Sequence, residues 1–235
     1  MTSASSVKTI LMVGASRGLG LGLALEYLRR GWRVIATVRK IEGAPALRGA
    51  NDDERGRLEI EVVDINLPDQ LAALRQRLAS RSIDLLFVNA GVMSPPQEKI
   101  GNVTTEEFTR VLVTNALSPL RVVELFATLV PAGGTIAVMS SGLGSAANNV
   151  KGEAEVYRAS KVALNSLMRS FAARETAVPR VLLAMDPGWV RTDMGGQRAP
   201  LDVETSVRGM ADVMDARAGQ TGMAFINYKG ETVNW

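Results

Sequence analysis

The sequence predicts an α/β fold: a doubly wound parallel sheet of about seven strands with helices on both faces. Three observations carry this expectation. The candidate strands are apolar from end to end rather than alternating, which is how strands covered on both faces read. They alternate with helical patterns along the whole chain. The first of them also runs straight into a glycine-rich loop that opens a helix.

Taken in order, Lys8 to Val13 (KTILMV) reads as a buried strand and Gly18 to Arg30 as the helix after it. Arg33 to Val38 (RVIATV) is a second strand and Leu58 to Val63 (LEIEVV) a third. Between them, Glu42 to Arg57 is polar and indistinct, a loop with room for one weak helix. Leu67 to Ser80 is helical, a fourth strand ends near Val88, and Thr104 to Val130 has continuous helical periodicity. Gly134 to Ser140 is a fifth strand, Glu153 to Thr176 a helix, Val181 to Met185 a sixth strand, Asp202 to Arg217 a helix and Gly222 to Asn227 a last strand. No linker, repeat or low-complexity segment divides the chain, so residues 1–235 are expected to form a single Rossmann-like domain.

Composition excludes several chemistries. The chain has no cysteine and no histidine, which removes disulfides, thiolate nucleophiles and serine–histidine hydrolysis. A zinc site would need oxygen ligands alone, so no metal is expected. The net charge of +3 is spread without a run of like charges, which argues against a nucleic-acid partner. No uninterrupted apolar stretch is long enough for a bilayer, and MTSASSVKTI lacks the pattern of an export signal, so a cytoplasmic protein without membrane contact is expected. Proton transfer near neutral pH must then use a carboxylate, a lysine or a tyrosine with a shifted pKa.

The loop Gly14 to Gly20 (GASRGLG) follows the first strand, where glycines let the backbone approach a pyrophosphate at the positive end of a helix. Gly22 weakens the helix by about 1 kcal/mol relative to alanine, a cost that close packing on the sheet or on a cofactor would explain. An acid that would grip the ribose hydroxyls of NAD is missing after the second strand, which ends Thr37-Val38-Arg39-Lys40. Arg17 and Arg39 on the two flanking loops favour a 2′-phosphate instead, hence NADP(H). A charge-assisted bond is worth roughly 1.5–3 kcal/mol, enough for a clear preference.

Tyr157 and Lys161, in YRASK, are four residues apart and share one helical face. On composition alone this pair reads first as a half-buried tyrosine beside a solvated lysine on an amphipathic helix. As chemistry, an ammonium about 6 Å from the phenol is worth roughly 2.8 kcal/mol at an effective dielectric near 20, which would lower the tyrosine by about two pKa units. The chain has only three tyrosines, and Tyr27 and Tyr228 lie outside any motif.

Together these segments resemble the short-chain dehydrogenase/reductase family along the whole chain. The resemblance rests on GASRGLG, on Asp64 in VVDIN, on NAG (Asn89 to Gly91), on TNALSP with Asn115, on SSGLGS, on YRASK and on DPGWVRTDMGG. GWVRTDMGG and the closing GETVNW are similar to the C-factor and sniffer-type carbonyl reductases of that family. Val88 stands where asparagine is more usual, Val13 where threonine is frequent, and Asp186 where histidine is common.

The resemblance implies cofactor contacts from Gly14, Ser16, Arg17, Gly18, Leu19 and Gly20, from Arg39, and from Asp64 and Ile65. It adds Asn89, Ala90 and Gly91, then Pro187, Gly188, Val190 and Thr192, with Tyr157 and Lys161 also touching the cofactor. It implies that Ser141 hydrogen-bonds the substrate oxygen, with Ser140 the runner-up, and that Tyr157 gives the proton as hydride arrives from the nicotinamide. Lys161 would lower the tyrosine and hold the ribose, and Asn115 would keep a water joining Lys161 to solvent. The extra residues around Ala147 to Lys151 would form part of the substrate rim; Trp189 and Met194 read equally as substrate walls or core. The expected activity is NADPH-dependent reduction of a small carbonyl compound, or its reverse on an alcohol, by a homodimer or homotetramer packed through Thr104–Val130 and Glu153–Thr176. A signalling or redox-sensing protein that binds NADP(H) with little turnover is the second expectation.

Overall fold

Strands β1 (Thr9–Val13), β2 (Arg33–Val38), β3 (Leu58–Val62), β4 (Leu85–Val88), β5 (Thr135–Met139), β6 (Val181–Asp186) and β7 (Gly222–Asn227) form one sheet in the order β3-β2-β1-β4-β5-β6-β7. Every pairing is parallel. This is a computed structural model, and it describes residues 7–53, 56–95 and 99–235. The order reverses between β1 and β4, and the crevice beyond the carboxyl ends of these strands is where such sheets bind ligands.

Alternate residues of each strand feed two separate cores. Leu11, Val13, Leu86 and Val138 face one way, against α3 (Pro68–Arg77), α5 (Ser118–Phe126) and α6 (Glu155–Arg174). Ile10, Met12, Phe87 and Leu183 face the other way, against α1 (Gly18–Arg29), α2 (Pro45–Asp53) and α7 (Val203–Ala216). Burial on both sides explains why the strands carry no polar alternation.

One expectation is filled in and another needs correction. The indistinct stretch after β2 contains a short 3-10 turn at Ile41–Gly43 and then α2, nine residues long. Residues 54–55 of that stretch, and residues 1–6 where no export signal was expected, lie outside the described residues. What holds α2 is tertiary contact: Ala44 and Leu47 are fully buried beneath an otherwise polar sequence, a signal too sparse for periodicity to register.

The run from Thr104 to Val130 is not one regular helix. It comprises α4 (Thr105–Leu112), a π turn (Val113–Leu117), α5 and a closing 3-10 turn (Ala127–Leu129). Thr104 caps α4 by accepting the Glu107 N–H at 3.2 Å. The widened turn carries buried polar groups. Asn66 donates to the Thr114 hydroxyl at 3.2 Å, and the Ser118 hydroxyl donates to Asn66 at 2.8 Å. By length and composition Thr105–Leu129 could span a bilayer, but 61% of its apolar window is buried inside the fold, as in a core helix.

Gly22 lies against α7. A Cβ there would sit 2.9 Å from both Val203 Cγ1 and Val207 Cγ2, so the close packing is helix on helix rather than on the sheet or a cofactor. Beside it, Arg30 closes the same contact with ion pairs to Glu26 (2.8 Å), Asp212 (2.6 Å) and Asp215 (2.6 Å).

Candidate active site

The glycine loop is built to leave room. Gly14 has φ +90°, a conformation that side chains rarely adopt, and its N–H donates to the Thr37 hydroxyl at 3.0 Å. A Cβ on Gly20 would stand 2.1 Å from the Gly14 carbonyl oxygen and 2.5 Å from Asn89 Nδ2. The Asn89 amide donates to that carbonyl at 2.7 Å, tying the loop to the end of β4, and the Ala90 N–H donates to Val13 at 3.1 Å. Ser16, Gly18 and Leu19 line the start of α1. Its N-cap, Arg17, makes no side-chain cap, and no acid lies in the first turn, so the positive end of the helix faces the crevice uncompensated. These features fit a dinucleotide pyrophosphate.

Arg17 and Arg39 are both exposed at the rim of that crevice. Arg17 pairs with Asp193 at 2.8 Å, but the two side chains are 72% and 76% exposed, so the bridge is weak. Asp64, past β3, accepts the Asn66 N–H at 2.9 Å, and Ile65 beside it is buried. Beyond β6, Pro187 and Gly188 open a flap folded on itself. Val190 bridges to Leu201, Thr192 accepts the Gly195 N–H at 3.0 Å, and Trp189 donates to the Gly195 carbonyl at 2.8 Å. Trp189 and Met194 are 57% and 46% exposed, so neither belongs to the core.

The reacting side gathers at the end of β5. Ser140 and Ser141 face opposite ways, as neighbouring residues of an extended chain must. Ser140 is buried and donates to Asn165 at 2.7 Å, whereas the Ser141 hydroxyl lies close enough to hydrogen-bond Tyr157. Ala154, with φ 56°, turns the chain into α6 so that Tyr157 stands in its first turn. Lys161, one turn on, donates to the Met139 carbonyl at 2.7 Å, and its Nζ lies 5.6 Å from the centre of the Tyr157 ring. Gly91 joins this group: a Cβ on it would sit 3.3 Å from Asn115 Oδ1 and 3.6 Å from Lys161 Nζ. Asn115 is fully buried. Its Nδ2 donates to the Val92 carbonyl (2.7 Å) and Ser160 Oγ (3.0 Å), and its Oδ1 accepts the Val92 N–H (2.8 Å). Its side chain therefore locks the loop after β4.

The electrostatics overturn one expectation. Tyr157 does not lie below its ordinary value in this structure, despite the Lys161 cation one turn on. Burial dominates and, against the pull of the Ser141 hydrogen bond, raises the phenol to about 12, with the Asp186 carboxylate adding to the rise. Burial also pushes the Lys161 ammonium down to about 8. At pH 7 the tyrosine is protonated and the lysine is largely cationic. Asp186 is the participant that sequence reasoning missed. It was visible only as an acid before Pro187-Gly188, with nothing to place it beside Tyr157. Among the described residues no group of three acidic side chains could hold a metal.

The sequence model for short chain dehydrogenases matches residues 8–201, and the chain belongs to that family. A Burkholderia multivorans chain assigned to the short-chain dehydrogenase/reductases, solved with NADP bound, is 50% identical with a TM-score of 0.95, over 97% of this chain and 100% of that one. A carbonyl reductase from Pseudomonas aeruginosa, in complex with NADP, is 39% identical with a TM-score of 0.91, over 98% of this chain and 100% of that one. C-signal from Myxococcus xanthus is 36% identical over 167 residues, covering 70% of this chain and 100% of that protein.

Proposed function

We propose that this chain reduces a small aldehyde or ketone with NADPH, Tyr157 supplying the proton to the substrate oxygen. The chain is an NADP-dependent oxidoreductase of the short-chain dehydrogenase/reductase family. The observation that carries the finer reading is the convergence of Ser141, Tyr157 and Lys161 beside a glycine cradle with an uncompensated helix end.

NADPH, when bound, supplies the hydride. Arg17 and Arg39 would hold its 2′-phosphate, and the N–H groups at the start of α1 would hold its pyrophosphate. Ser141 donates a hydrogen bond to the carbonyl oxygen and orients it toward the Tyr157 hydroxyl. Tyr157 keeps its proton at neutral pH and releases it to the developing alkoxide. The Lys161 cation stabilises the tyrosinate that forms, and Asn115 fixes the loop that carries Gly91.

The test is NADPH consumption across a panel of aldehydes, ketones, quinones and pterins, run with the unmodified protein and Tyr157→Phe. Turnover on at least one substrate, lost in the mutant, supports the reading. The likeness to C-signal favours a second reading, an NADP(H)-binding signalling protein. That protein would bind NADPH tightly and oxidise it with no member of the panel.

We also propose a homodimer or homotetramer. Phe108, Leu117, Leu125 and Leu167 are each 36–41% exposed on α4, the π turn, α5 and α6.

A further inference from the structure

Asp186 ends β6 as a half-buried carboxylate whose place is set from three sides. Its Oδ1 accepts the Gly188 N–H at 3.1 Å, and the Gly142 amide on its other side draws its pKa down. A Cβ on Gly142 would lie 3.1 Å from Asp186 Oδ2, so a glycine is what lets the acid come this near. Its own carbonyl accepts the Tyr228 N–H at 2.9 Å. Gly142 follows Ser141 and Gly188 opens the flap, so one side chain joins the two turns that flank the site. Among the described residues no cation biases this carboxylate, and burial raises its pKa, partly offset by the Gly142 and Gly188 amides.

We propose that Asp186 is a positioning residue of the reduction argued above: its carboxylate clamps the Ser141 turn to the Pro187–Gly188 turn and sets its negative charge against Tyr157. The inference rests on Tyr157 being the proton donor. The groups facing that phenol are few. Lys161 lies on its own helix, Ser141 at the end of β5 and Asp186 at the end of β6. The other charged side chains nearby are engaged elsewhere. Arg158 donates to the Glu153 carbonyl, Glu155 accepts the Ile100 N–H, and Arg110 on α4 pairs with Glu107. Asp186 therefore opposes Lys161. It holds the proton on Tyr157 and keeps the donor form populated to higher pH.

The test reads Tyr157 directly, without substrate or cofactor. The protein is produced with difluorotyrosine, whose lowered phenol pKa brings the titration into a pH range where the fold survives, and followed by fluorine NMR. Three tyrosines give three resonances, and Tyr157→Phe assigns the relevant one. In Asp186→Asn the Tyr157 midpoint should fall by on the order of one pH unit while that of Tyr228 stays in place. In turnover, Asp186→Asn keeps one acceptor oxygen, whereas Asp186→Ala loses both contacts and should fall below it by on the order of tenfold, as a displaced donor costs rate. An unmoved Tyr157 midpoint in Asp186→Asn overturns the charge role, and equal turnover in the two variants overturns the clamp. Failure of the proposed activity would appear separately, as retained turnover in Tyr157→Phe.

Discussion

Tyr157→Phe removes one hydroxyl and leaves the ring, α6 and the glycine cradle in place. Loss of a general acid should lower kcat on the order of 10²–10⁴ with NADPH affinity nearly unchanged, measured by turnover and fluorescence titration on the same preparations. The two serines should separate by readout. Ser141→Ala loses the donor to the reacting oxygen, a loss on the order of 10²–10³ in kcat. Ser140→Ala strands the buried Asn165 oxygen and should lower Tm instead, at about 1–3 kcal/mol. If rate followed Ser140 and stability Ser141, the roles drawn from their facing would be reversed. Lys161 loses its charge as pH rises through about 8, so kcat/KM for reduction should decline above that pH. A profile that stays flat to about pH 10 would exclude a need for the lysine cation.

The contact of α1 with α7 has its own signatures. Gly22→Ala raises helix propensity by about 1 kcal/mol, yet its Cβ meets two valine methyls at 2.9 Å; the net effect should be a lower Tm, recovered in part by adding Val207→Ala, which removes one of the two contacts. Glu26, buried and bonded to Arg29 and Arg30, is pulled down to about 2. Its folded pKa is depressed, so its stabilisation is complete above the ordinary carboxylate pKa near 4.5 and is lost as pH falls toward 2. Screened by the exposed Arg29, that amounts to about 2 kcal/mol. Glu26→Gln should flatten the acid limb of a Tm-against-pH curve, and an unchanged limb would locate the stability elsewhere. At this scale the strands and α1, α6 and α7 were legible from apolar runs and spacing alone. The split of the long helix was not, because the partners of Thr114, Asn115 and Ser118 lie on loops distant in sequence. The start of α6 was misplaced by two residues because nothing local marks Ala154 as left-handed.

Across the whole molecule, light scattering at micromolar concentration should report a dimer or tetramer, and a monomer would leave the apolar face of α4, α5 and α6 without the partner proposed for it. Arg39→Asp should weaken NADPH and narrow its advantage over NADH, since Arg39 and Arg17 stand on separate loops at the crevice rim; equal dissociation constants in the unmodified protein would refute that assignment. The cradle and the order of its motifs were readable because glycine spacing and chain order are properties of sequence. The charge balance at Tyr157 was not, because burial and Asp186 act through space and outweigh the neighbour four residues away.

The π turn has a consequence for rotational phase. Counting 3.6 residues per turn from the buried Val111 would bring Ser118, Val122 and a point between Leu125 and Phe126 to the inner side. Ser118 and Val122 are buried, but so are Pro119, Val123 and Phe126, with Leu125 left outside, so the inner side is displaced toward the later positions. A π turn bonds i to i+5, so it takes up one residue more than an α turn and re-times the second half of the helix against the first. Were Val113–Leu117 to wind as regular α-helix at unchanged length, everything beyond it would swing by about 100°. Phe126 would leave the core, Leu125 would enter it, and the surface offered to a second subunit would turn with them. In this segment the number of residues is as strong a constraint as their identity.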